Sequence, residues 1–133
     1  MNPFYPAGDR RAGHRCEYCR APEGLFNLPF EVEHVCPTSR GGADDETNLA
    51  LACRSCNLHK SDHVSGTDPE SAAAVRLYDP RSDRWDDHFR VDLDRGELYG
   101  RTPIGRATVD RLRINDPAQV LARQLWIKLR LFP

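Results

Sequence analysis

Three observations predict an α+β fold. First, two short runs with strand character, residues 30–35 and 48–52, flank a polar, glycine-containing loop. A helix-compatible segment follows, from residue 54 to about residue 63. Second, two Cys-x-x-Cys pairs, Cys16/Cys19 and Cys53/Cys56, bracket that strand–loop–strand–helix stretch. Third, two helix-start signals, Thr102-Pro103 and Asp116-Pro117, stand in the last third of the chain.

Composition limits the function classes. The 133 residues allow one domain, or a small module with an appendage. The division expected is residues 1–65 for the cysteine-bearing module and 66–133 for an accessory α+β segment packed on it. An apolar fraction of 39 % beside 29 % charged residues suits a soluble globular protein. Residues 1–15 contain no apolar leader core, and no run approaches the roughly 20 apolar residues of a membrane helix. A cytoplasmic protein with no membrane partner is therefore expected, and its thiols should stay reduced. Net charge is −1, but its distribution is uneven. Residues 62–100 carry five Lys/Arg against ten Asp/Glu, whereas residues 101–133 carry seven against two. The basic last third reads equally as a phosphate-attracting face or as a solvated helix face.

Taken in order, residues 1–13 hold Pro3, Pro6, Gly8 and Gly13 and read as a loose arm. Arg10, Arg11, His14 and Arg15 then form an exposed basic tail with phosphate contact as the alternative. The two cysteine pairs, with 33 residues between Cys19 and Cys53, supply four thiolates, which suits tetrahedral Zn²⁺ with no open position. Such a zinc is structural. It would contribute on the order of 10 kcal/mol to folding a module too small to rely on its core. The competing reading, a redox-active or disulfide-forming pair, lacks a thioredoxin-like βαβ context. Cys36, the fifth cysteine, reads as a small buried filler.

Residues 20–29 suggest a turn and a short apolar strand, with Leu25, Phe26, Leu28 and Phe30 in the core. Residues 62–72 read as a linker. Short strands are expected at 75–80, 85–91 and 97–99. One helix is expected from Pro103 to about Ile114, and a second from Pro117 to about Leu131 with Leu121, Leu125 and Leu129 on one stripe. Asp86, Asp87 and His88 read as an exposed polar turn beside a buried Trp85 rather than as a second metal cluster.

The residues with chemical potential sit at the joints of the central stretch. Glu33 is a hard oxygen ligand for Mg²⁺ or Mn²⁺. Its neighbour His34 points to the opposite face of a regular strand, so the two share a site only if the chain bends there. An imidazole, with a free pKa of about 6.5, suits proton abstraction from water. Asn57 offers a carboxamide oxygen on the helix. His59 is two residues further and faces away from it, whereas Lys60 shares its face and can reach a phosphate, as can Arg40 in its glycine-rich loop.

At Glu33-His34, Asn48-Leu49, Cys53-x-x-Cys56-Asn57 and Lys60, with Cys16 and Cys19 upstream, the sequence resembles the HNH endonucleases. The closest variant is the ββα-metal module built on two cysteine pairs. The resemblance covers roughly the first half of the chain and implies a zinc-stapled ββα-metal fold with a small C-terminal extension. It implies a DNA phosphodiesterase with His34 as general base and Glu33 and Asn57 holding one catalytic Mg²⁺ or Mn²⁺. Asn48 would fix the Glu33–His34 segment through the loop backbone. Arg40, Lys60 and His59 would face nucleic acid, and no small-molecule cofactor is implied. The family's third position is often His and is Asn57 here. Two other classes remain open: a catalytically inactive nucleic-acid-binding zinc module, and a structural zinc domain for protein contacts.

Overall fold

The computed structural model describes residues 2–133. Strands β1 (Glu31–His34) and β2 (Leu49–Ala52) form an antiparallel ribbon with Glu31 opposite Ala52 and His34 opposite Leu49. All four residues of β2 are buried. Helix α2 (Arg54–Lys60) starts at Cys53, whose sulfur accepts from the Cys56 amide at 3.4 Å. It stops three residues earlier than expected, because Ser61 turns to φ +49°.

The second half carries a hairpin of β3 (Ser65–Thr67) and β4 (Ala74–Arg76), a helical turn α3 (Trp85–His88), and a hairpin of β5 (Phe89–Asp92) and β6 (Glu97–Gly100). Helices α4 (Pro103–Arg111) and α5 (Pro117–Lys128) follow. Thr102 caps α4 by accepting from the Gly105 amide at 3.0 Å. Helix α4 presses against neighbouring backbone. A Cβ on Gly105 would stand 2.0 Å from the His88 carbonyl oxygen, and one on Gly100 2.2 Å from the Arg106 nitrogen.

The two halves pack on each other. Trp85 donates from Nε1 to the Tyr18 carbonyl at 2.8 Å, and the Arg20 guanidinium lies 4.2 Å above the Trp85 ring. Arg81 pairs with Glu17, and Phe26 meets Trp126 edge to face at 6.0 Å.

Several sequence expectations are corrected. The N-terminal arm contains a helix, α1 (Tyr5–Arg11), because Pro6 is tolerated in a first turn and Arg11 ties the helix end to the Glu46 and Leu49 carbonyls. The 62–72 linker contains β3 and the buried Asp68. Residues 85–88 are helical, and the strand begins only at Phe89. Leu25, Phe26 and Leu28 are exposed around a 3₁₀ turn at Glu23–Leu25, leaving Phe30 as the core residue there. The Leu121, Leu125 and Leu129 stripe is more than half exposed. Helix α5 instead buries Arg123, which donates to the Gly96 and Ile114 carbonyls at 2.7 and 3.0 Å. Cys36 is half-buried rather than buried. Among the described residues no helix is long and apolar enough to cross a membrane.

Candidate functional site

Cys16, Cys19, Cys53 and Cys56 converge in a buried cluster whose ligand atoms all lie within 4.8 Å of one another. The Cys19 and Cys53 sulfurs are 3.8 Å apart. A tetrahedral zinc with Zn–S bonds of about 2.3 Å requires sulfur separations of about 3.8 Å, so the donor set and its spacing suit that ion. The Cys19 and Cys56 amides point at the Cys16 and Cys53 sulfurs at 3.5 and 3.4 Å, which stabilises thiolate charge. Hydrogen bonds from Cys16, Cys53 and Cys56 hold the Cys19 thiol well below its ordinary pKa. Glu17, between the first two cysteines, accepts from the Leu51 amide at 2.8 Å and fastens this knuckle to β2.

Beside the knuckle lies an open cleft of about 410 Å³, whose lining includes Glu33, His34, Asn57, Ser61 and Asp62. Strand β1 keeps its pairing register through His34 and the chain bends only at residues 35–36, yet Glu33 and His34 both border the cleft. His34 Nε2 stands 2.9 Å from Asp44 Oδ1. Asn48 holds the intervening loop. Its Nδ2 donates to the Cys36 and Ala43 carbonyls at 2.8 Å each, and its Oδ1 accepts from the Cys36 amide at 2.9 Å. Gly42 must be glycine for this closure, because a Cβ there would meet the Cys36 oxygen at 1.8 Å and Asn48 Nδ2 at 2.7 Å.

Glu33 is turned inward and is only 7 % exposed. It accepts from the Tyr18 hydroxyl and from Lys60 Nζ, the latter at 3.0 Å. Burial raises the Glu33 carboxyl above its usual range, and the Lys60 charge and the Tyr18 hydrogen bond oppose that rise. Burial and the Glu33 charge together push the Tyr18 hydroxyl well up.

Lys60, expected at a phosphate, is 1 % exposed and donates also to the His34 and Val35 carbonyls at 3.2 and 2.9 Å. Its partners lie 25 to 27 residues away, so the helix face it shares with Asn57 was visible in sequence and its burial was not. His59 sits outside the cleft, its Nδ1 2.8 Å from the Ser55 carbonyl of its own helix. Arg40 is exposed, on the rim of a neighbouring cavity of about 660 Å³ that Cys36 also lines. Sequence reasoning missed Tyr18, Asp44 and Asp62. Tyr18 had a signal, an aromatic enclosed between two metal-ligand cysteines; the two aspartates sit in polar loops and had none.

A carboxylate has about four lone-pair sites. Tyr18 and Lys60 occupy one each. Glu33 and Asn57 can therefore still offer oxygen donors to a hard cation, with the Lys60 charge working against it.

No curated protein and no solved structure matches the chain. Residues 16–63 match the family model described as HNH endonuclease. That span begins at the first ligand cysteine and runs through β1, β2 and α2, so it contains the cluster, the Asn48 clamp and the residues of the cleft. Residues 16–63 thus match the HNH endonuclease family model, and the four clustered cysteines are consistent with the cysteine-knuckle form of that module.

Proposed function

We propose that the protein is a metal-dependent endonuclease that hydrolyses DNA phosphodiester bonds, with His34 as general base. The observation that carries this is the meeting of His34, Glu33 and Asn57 at one open cleft above a backbone clamped by Asn48. If Asp44 accepts from the Nε2–H of His34, the other ring nitrogen keeps its lone pair for a water proton. Asp44 is mostly exposed, so its effect is to orient the ring rather than to stabilise the fold. Lys60 holds the His34 and Val35 carbonyls from below and fixes the backbone that presents the imidazole.

Glu33 and Asn57 would hold one Mg²⁺ or Mn²⁺, which when bound supplies a Lewis acid for the scissile phosphate and the leaving oxygen. The expected products carry a 5′-phosphate and a 3′-hydroxyl. Zinc in the four-cysteine cluster is structural in this reading, because four protein ligands leave no open position. A cytoplasmic setting keeps those thiols reduced. Residues 66–133 would serve as an accessory segment supporting the module.

One observation favours a second reading, a nucleic-acid-binding module without cleavage. The Lys60 contact neutralises the carboxylate that a divalent ion needs. Plasmid nicking decides between them, with zinc-loaded protein in Mg²⁺ or Mn²⁺ against EDTA. Metal-dependent nicking by the wild type, reduced at least 100-fold in His34→Ala with zinc content and fold retained, is the expected result. DNA binding without nicking across metals and DNA forms would establish the second reading.

A further inference from the structure

A second cleft, of about 380 Å³, lies between the first cysteine knuckle and the accessory half, with Arg11, Arg15, Arg20 and Glu17 among its lining and Trp85 in its wall. Three guanidiniums face one carboxylate. The charge of Glu17 is already taken up by Arg81, by Arg11 at 4.0 Å and by the Leu51 amide at 2.8 Å. Among the described residues, Arg15 and Arg20 have no carboxylate within ion-pair distance. Both are half-buried and held in place by neutral groups. Arg15 donates to the Arg20 carbonyl at 3.0 Å, and Arg20 lies over the Trp85 ring at 4.2 Å. A stacked guanidinium keeps its in-plane N–H edge free, and that edge matches two oxygens of a phosphate.

The position of the cleft suits this partner. Arg11 donates to the Leu49 carbonyl at 2.9 Å, and Leu49 is the register partner of His34. The cleft thus opens beyond β2 from the candidate base, with one strand spacing of about 5 Å and then the Arg11 side chain between them. A duplex seated at His34 carries a phosphate every ~3.4 Å of axis along each strand, so phosphates some positions along from the cleaved one can meet the cleft. We infer that this cleft takes a backbone phosphate of duplex DNA outside the cleaved bond, with Arg15 and Arg20 as its ligands. The inference rests on the nuclease reading and gives the accessory half a role, since Trp85 builds the wall on which Arg20 is held.

The test is binding of a fluorescently labelled 20-base-pair duplex across a salt series, with Ca²⁺ in place of Mg²⁺. Arg15→Gln and Arg20→Gln, made singly, are each expected to weaken binding about 3- to 10-fold and to lower the slope of log Kd against log salt by about one. Zinc content should not change. Arg15→Lys should keep the slope, and Lys128→Gln, on an exposed face, should change neither quantity. Unchanged affinity and slope in the folded Gln variants would overturn the inference while wild-type nicking left the nuclease reading standing. Wild-type protein that neither binds nor nicks would overturn both. If the Gln variants lose zinc, tryptophan emission of the wild type carries the test: DNA in the cleft lies against Trp85 and changes its emission, and an unchanged signal at saturating DNA overturns the inference.

Discussion

From Cys16 to Lys60 the buried side chains are mainly four thiols, small or aliphatic residues of β2, Tyr18 and the Glu33–Lys60 pair. From Leu77 to Phe132 they are mainly apolar, among them Leu77, Tyr78, Trp85, Phe89, Leu98, Leu112, Ile114 and Phe132, beside the buried Arg123, with a capped helix α4 and tight glycine contacts. The first region has little apolar volume of its own and gathers instead a four-cysteine cluster suited to zinc and a satisfied buried ion pair. The second is held by ordinary packing. The candidate cleft therefore rests on polar interactions that are strong only while every partner is present, and a more apolar core stands behind it.

Metal removal should break this contrast most sharply. Chelation, or Cys53→Ser, should remove one zinc per chain and unfold the module, a loss on the order of 10 kcal/mol. Because Trp85, Arg81 and Trp126 all pack on residues of the first region, the second region should loosen in the same transition. Circular dichroism and tryptophan emission should report coincident changes. A Trp85 signal that survives chelation would show that the two regions stand alone.

The ion pair comes next. Lys60→Ala leaves the buried Glu33 carboxylate uncompensated and should cost about 3–5 kcal/mol in denaturant unfolding at neutral pH. Pairing Lys60→Met with Glu33→Gln should restore most of it. The sign with pH follows from Glu33, whose folded pKa is already raised by burial. A raised carboxyl favours the fold below its unfolded pKa, and that advantage is lost as pH rises through the folded value. The Lys60→Ala defect should thus be smaller near pH 5 than near pH 8.

The smallest effect belongs to the ion pair that ties Asp68, between the two regions, to Arg106 of the second. The Arg106 fork and the Ser71 hydroxyl hold the Asp68 carboxyl well below the usual range. A depressed carboxyl adds stability above its unfolded pKa of about 3.9, and that stability is lost as pH falls toward the folded value. Wild-type Tm should fall steeply below about pH 4, and Asp68→Asn should flatten that fall while lowering Tm at pH 7. A wild-type profile as flat as the variant's would show that the Arg106 pair carries none of the acid sensitivity.

Local sequence pattern determined what local geometry can determine. The cysteine spacing, the strand–loop–strand–helix order and the cap at Thr102 are each set by neighbours a few residues apart, and all were legible. The loop-holding role expected of Asn48 came from the family resemblance, and its side chain meets Cys36 and Ala43, both in the loop it closes. What depends on partners far along the chain was not. Lys60 shows a helix face that includes Asn57, but only the approach of β1 gives it Glu33 and two carbonyls and takes it out of solvent. The Leu121–Leu125–Leu129 spacing defines a stripe without saying which side the rest of the molecule covers, and here Trp126 and Arg123 take the inner side. Periodicity reports which residues share a face. Which face is buried, and which charge meets which, was decided only when distant segments met.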